Sequence, residues 1–184
     1  MTSGISTVGT MFGFALEDDV GERPDEFVQL HRINQIGGIA IEPEAIDASA
    51  LEDEYTKYII GRTDEGGSLP VSVNLTNMTL AEWRSLIEFF QNREDTDLRM
   101  WWEVYHPELD ESFYFVANPP VNVPLPEISG NELFVGEFNL AIESFEGVGE
   151  PLVPVPQSYQ LIDEDDNWLT DENGDSIYVV LEAE

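Results

Sequence analysis

The stretch ELFVGEFNLAIE (132–143) alternates strictly enough to dictate a fold class. Its even positions carry Phe134, Phe138, Leu140 and Ile142, and its odd positions carry Glu137, Asn139 and Glu143. Side chains on a β-strand point alternately to opposite faces, so this period of two makes one face apolar and leaves the other to water. Such a strand must belong to a sheet with one covered face. LPVSVNL (69–75) repeats the pattern, with Leu69, Val71, Val73 and Leu75 on one face and Ser72 and Asn74 on the other. LRMWWEVYH (98–106) and the run through 112–118 read as a hairpin around Pro107-Glu108-Leu109-Asp110. Trp101 and Trp102 then fall on opposite faces, one for the core and one for an interface. Pro119, Pro120, Pro124 and Pro126 confine the segment after the hairpin to an edge or a loop.

Other strand signals are shorter. Residues 27–42 read as two strands around Gly37-Gly38, and 43–68 as a long polar loop with a possible strand from Tyr55 to Ile60. One segment has helical periodicity. Leu80, Trp83, Ile87 and Phe90 recur at helical spacing, Leu86 widens the stripe, and Glu82, Ser85 and Glu88 fall largely on the opposite side. The Thr79-x-x-Glu82 pattern predicts a capping box, placing the helix at about 79–92. The expected fold is therefore mostly β, a sandwich or barrel-forming sheet with one packed helix.

Residues 149–157, rich in proline, read as a linker between a 1–148 domain and a 158–184 arm. That arm is too short to build its own core. A β-hairpin docked on a neighbouring surface through Trp168, Ile177, Tyr178 and Val180 is the expectation. Its acids and amides between 163 and 175 invite a calcium reading, but no register supplies a complete EF-hand loop. From Asp163 the sixth position is Trp168, and from Asp171 it is Ser176, where a glycine is needed. Polar turns between short strands account for the pattern.

Charge narrows function. The chain has 38 acidic and 7 basic residues, a formal charge of −31. Ten Phe, six Tyr and four Trp oppose disorder, which goes with few aromatics. A strongly negative surface repels nucleic acid and anionic membrane. The absence of cysteine excludes disulfides, thiolate metal sites and cysteine nucleophiles. The N-terminus has no basic region before its short apolar run, so no signal peptide is expected. His31 and His106 have no ligand spacing and read as structural. No nucleophile, metal-protease or phosphate-loop motif occurs, so neither an enzyme nor a cofactor is expected.

The order of these features, and above all IDASALEDEYTKYIIGRTDEGG (46–67) ahead of the helix and the final long strand, resembles the tail tube (major tail) proteins of long-tailed bacteriophages and related archaeal tailed viruses. The resemblance covers about 4–148. It implies a β-sandwich whose sheets join those of neighbours, six copies per ring, with rings stacked around a channel for the genome. The partners it implies are further copies of the chain, tail terminator, tape measure and tail-tip or baseplate proteins. Double-stranded DNA would pass without specific binding, no membrane would be involved, and the location would be the virion, after assembly in the host cytoplasm. Glu137, Asn139, Glu143, Ser72 and Asn74 become candidates for the channel wall, and Leu51, Tyr55, Tyr58 and Ile59 for ring stacking. A like-charged wall would keep DNA from adhering. The acidity also fits adaptation to high salt, since Lys57 is the one lysine. Two other readings share the acidity: a DNA-mimic inhibitor and a calcium-dependent adhesion module.

Overall fold

The computed structural model describes residues 4–39, 42–47, 49, 55, 58–64, 67–130, 133–155, 158–160 and 178–180. Its elements are β1 (Met11–Leu16), β2 (Val28–Leu30), β3 (Ile33–Ile36), β4 (Glu42–Asp47), β5 (Tyr58–Asp64) and β6 (Gly67–Asn74). Helix α1 (Asn77–Gln91) comes next, then β7 (Met100–Tyr105), β8 (Ser112–Asn118), β9 (Val135–Gly149), β10 (Ser158–Gln160) and β11 (Tyr178–Val180). Seven strands form one antiparallel sheet in the order β2-β1-β7-β8-β9-β6-β3, while β4 pairs with β5 and β10 with β11. Among the described residues the fold is mostly β with a single helix, in keeping with the alternation and the lone helical stripe.

The sheet's two edge strands are consecutive in the chain. Only His31 and Arg32 separate β2 from β3, and three peptide steps reach at most about 11 Å. The sheet must therefore curl until its edges approach. Counting antiparallel neighbours around the order gives β2 and β3 the same direction, so they act as one strand bent across the seam. Arg32 makes the bend with φ 56°, in the left-handed region. Its carbonyl accepts from the Asn74 N–H at 3.0 Å, which ties the bend to the end of β6. Curling of this kind uses up most of the edge that an open sheet would expose.

The inner face is apolar. Phe12, Trp102, Phe115, Phe138, Leu140 and the Leu69/Val71/Val73 row meet Trp83, Leu86 and Ile87 of α1. Trp83 stacks on Phe138 with centroids 3.9 Å apart, and Trp102 stacks on Phe12 at 5.2 Å. Each such burial contributes about 1.5–3 kcal/mol, so the helix is held by the sheet rather than by its own propensity.

Several expectations shift. The helix starts earlier, with Thr76 as N-cap and Thr79 three positions in. Thr79 N–H donates to Thr76 Oγ1 at 3.2 Å, and Thr76 N–H donates to Thr79 Oγ1 at 2.8 Å. Glu82 is not on the wet side; it is buried and accepts from His31 N–H at 3.3 Å, with His31 Nδ1 2.6 Å from its other oxygen. The region 43–68 is not a loop but holds the β4–β5 pair, with β5 displaced from 55–60 to 58–64. Strand β9 begins at Val135 and runs to Gly149, leaving Phe134 outside it and 55% exposed. A break does follow β3 at Gly37-Gly38, and a second one, at His31–Arg32, divides the first of the two expected strands into β2 and β3. Both tryptophans of the β7 pair are buried, Trp101 by a second layer on the outer face.

Candidate functional site

That outer face is divided into two halves. Over β1, β7 and β8, Ala15, Trp101, Tyr114 and Val116 are covered by Phe27 and Leu152. Residues 150–155, expected to be linker, lie there as a strap. Gln29 N–H donates to Val155 O and Val155 N–H donates to Phe27 O, each at 2.8 Å. Pro154 sits over Gly13 so closely that a Cβ on the glycine would stand 3.0 Å from the proline ring. Tyr114 Oη donates to Glu103 Oε1 at 2.9 Å and lies 2.7 Å from Glu150 O, while Leu152 N–H donates to the same Glu103 oxygen at 2.9 Å. Burial first, and then the hydrogen bond to Glu103 and its charge, push the Tyr114 phenol up to about 12.

Over β8, β9, β6 and β3 the same face is open and polar. The register sets Ser72 directly opposite Glu137 and Pro70 opposite Asn139. Glu137, Asn139 and Glu143 are exposed, and Ser72 and Asn74 are half-buried. Side-chain hydrogen bonds run from strand to strand: Asn34 Nδ2 to Asn74 Oδ1 at 2.6 Å, Ser68 Oγ to Asn139 Oδ1 at 3.2 Å, and Asn118 Nδ2 to Glu143 Oε1 at 2.6 Å. All five residues singled out from the sequence thus lie on one stripe. Asn34, Ser68 and Asn118 join it without having been singled out. Ser68 continues the alternation of β6, which could have found it; the other two depend on which strands are neighbours.

The remaining candidates separate. Tyr55 is 79% exposed, while Tyr58 and Ile59 lie in β5 opposite Asp47 and Ile46; Leu51 falls outside the described residues. Tyr178 and Val180 lie in β11, opposite Gln160 and Ser158 of β10. Trp168, Ile177 and the acids between 163 and 175 are outside the described residues. Among the described residues no His, Asp and Glu cluster could hold a metal ion, and no helix is long and apolar enough to cross a membrane. Both histidines have structural surroundings. His106 Nδ1 accepts from Glu108 N–H at 3.1 Å, so Nε2 carries the proton and donates to Val8 O at 3.1 Å.

The proline-rich segment between β8 and β9 is a surface that no periodicity announces. It exposes Val121, Leu125, Ile128, Leu133 and Phe134, by 55–88%. Its prolines are conspicuous in the sequence, whereas its apolar side chains keep neither a helical nor a strand period.

No family model and no curated protein matches the chain. Solved structures do resemble it. A sheath/tube terminator of the PVC extracellular contractile injection system, in the extended state, superposes with a TM-score of 0.53 at 14% identity, over 78% of this chain and 96% of the other. A chain from the tail of an empty GTA particle with C6 symmetry superposes with a TM-score of 0.52 at 13% identity, over 80% and 99%. The chain shares its fold with components of tail-like particles.

Proposed function

We propose that this chain is a structural, non-enzymatic subunit of a phage-like tail, forming six-membered rings that stack into a tube. The observation that carries the reading is the divided outer face. A strap protects one half from solvent, while the other presents a polar stripe with three side-chain donors already paired across its strands. Such a wall suits a channel. Its amide donors Asn34, Asn118 and its hydroxyl Ser68 are engaged across strands, and Glu137 and Glu143 repel phosphate. Glu137, Asn139, Glu143, Ser72 and Asn74 would face the lumen. The two similar folds, one in a tail of C6 symmetry and one a terminator, support the ring and the place in a tail.

In this reading the β4–β5 hairpin, with Leu51, Tyr55, Tyr58 and Ile59, contacts the next ring. The 158–184 arm lies on the tube exterior or between rings through Trp168, Ile177, Tyr178 and Val180. Terminator, tape-measure and tail-tip or baseplate proteins are its partners, DNA passes through without specific contacts, and the virion is its location. Negative-stain electron microscopy of the purified chain across a salt series tests it. Sixfold rings or tubes are expected, and a monomer at every salt concentration refutes the proposal.

A further inference from the structure

A cleft between the end of α1 and the loop after β1 combines an apolar floor with an acidic rim. Leu16, Val20, Phe89 and Leu98 line a volume of about 670 Å³, in which Phe89 stays 53% exposed and Val20 61%. Ser85, Glu88, Phe89 and Asn92 follow one another at helical neighbour spacing, so one face of α1 and its C-cap forms a wall, and all four are exposed. Asp18, Asp19, Glu88, Glu94 and Asp95 make the rim, and all are exposed. Among the described residues no group of acids is close enough together to hold a metal ion. The one cation of the wall, Arg93, is turned to its own chain. Its Nη1 and Nη2 donate to Phe90 O and Thr96 O at 2.6 and 3.0 Å, and the guanidinium lies 3.9 Å from the Phe90 ring centre. The last turn of α1 carries no basic residue, so the negative end of its dipole adds to the field of the acids. Both walls are fixed in the free subunit. Glu22 N–H donates to Asp19 O at 3.1 Å, and Asn92 N–H donates to Glu88 O at 3.0 Å. A preformed cleft gives up little entropy when it is filled.

We infer that this cleft docks a basic segment of another protein, with one bulky apolar side chain set on Phe89 and arginines or lysines on either side of it among the carboxylates. Charge complementarity selects the occupant. A second copy of the chain would bring another −31 to a rim that is already negative, and nucleic acid would be repelled. A cation without an apolar group would leave Phe89 and Val20 in water. A guanidinium beside the apolar side chain can also lie on the Phe89 ring. The whole cleft belongs to one subunit, so the inference does not depend on the ring reading.

The test uses the full chain and a fluorescein-labelled peptide, Gly-Arg-Arg-Leu-Arg-Arg-Gly, with binding read by anisotropy at about 0.15 M salt. A second peptide carries serine in place of the leucine. Wild type should bind the leucine peptide at least about fivefold more tightly than the serine peptide, a contrast that needs no variant. Phe89→Ser should abolish that preference. Asp18→Asn, Asp19→Asn and Glu88→Gln combined should weaken the leucine peptide at least about tenfold. Asp110→Asn, Glu137→Gln and Glu143→Gln remove the same charge away from the cleft and should weaken it by less than about twofold. All substituted side chains are exposed, and an unchanged melting temperature verifies each fold. Equal losses in the two neutralised variants mean attraction to a general polyanion and overturn the inference. Equal affinity for the two peptides, or a preference for leucine that survives Phe89→Ser in a folded variant, also overturns it, as does the absence of binding to wild type. None of these outcomes bears on whether rings form.

Discussion

Replacing Glu17 by alanine should destabilise the subunit far more than removing any surface acid. Glu17 directly follows β1 and is buried among donors. Arg99 N–H donates to Oε2 at 3.0 Å, and Arg99 Nε and Trp101 Nε1 donate to Oε1 at 2.9 and 2.8 Å. Without the carboxylate, the buried Trp101 indole N–H is left without an acceptor, a loss of about 1–3 kcal/mol. Removing one partner of a fully buried ion pair costs about 3–5 kcal/mol, but Arg99 is 33% exposed and can regain water, which lowers its share. The expected loss is about 3 kcal/mol, or roughly 6–12 °C in melting temperature for a domain of this size. Glu17→Gln keeps an acceptor for Trp101 and should lose about half as much. Burial alone would raise the Glu17 carboxyl, but hydrogen bonds from Trp101, from the Arg99 backbone and side chain, and from the Gly21 backbone together hold it below the ordinary carboxylate range. Folding therefore favours the ionised form. Its stabilisation is present above the ordinary glutamate range and lost as pH falls through the depressed folded value. Urea unfolding followed by circular dichroism, at pH 7 and down to the acid limit, measures both effects. The reasoning fails if Glu17→Ala unfolds within about 0.5 kcal/mol of wild type, or if the acid limbs of wild type and Glu17→Gln superimpose.

Gly13→Ala should cost about 1–3 kcal/mol, since its Cβ would press on Pro154 and Phe27; Tyr114 fluorescence and proteolysis after Gly149 should report a loosened strap, and a wild-type melting curve would count against this. The folded-state value of Tyr114, raised to about 12, means that its stabilisation is complete below pH 10 and lost between pH 10 and 12. That loss is about 3 kcal/mol, and alkaline unfolding of Tyr114→Phe should lack it; identical alkaline limbs would contradict the burial of this phenol. Replacing Glu137 and Glu143 together by lysine should change stability by under about 0.5 kcal/mol per site. If the stripe lines a channel, the variant should slow genome passage in a manner relieved by added salt, and normal ejection kinetics would exclude these two carboxylates from the wall.

Much of the sheet was legible because its inner face follows the period of two. Leu69, Val71, Val73, Phe138 and Leu140 are all buried, and the β7–β8 hairpin turns where Pro107 to Asp110 indicated. What was not legible depended on partners distant in sequence. Glu82 completed a helix-capping pattern on paper, but His31, 51 residues away, engages it, and Thr79 caps in its place. Residues 150–155 have linker composition, and only the bare backbone of Gly13 gives Pro154 its seat. One of Trp101 and Trp102 was expected at an interface, yet both are buried, because nothing near Trp101 in the sequence announces the strap that covers it. The stripe obeys the same division. Alternation marked Ser72, Asn74, Glu137, Asn139 and Glu143 as one face, while Asn34 and Asn118 enter through the strand order alone.

That order also governs timing. Strand β6 ends at Asn74, yet its inner neighbour β9 begins only at Val135, and β1 waits for β7 at Met100. Strand β9 is inserted between β8 and β6, so the curled sheet cannot be completed until Gly149 has been synthesised. Sheets built from such distant pairings fold slowly, on millisecond to second scales, and not in instalments. A nascent chain on the ribosome therefore has no finished stripe and no finished surface to offer another copy. In the proposed tail, polymerisation would be deferred to released, fully made subunits, which would keep the supply of building blocks separate from the moment growth begins.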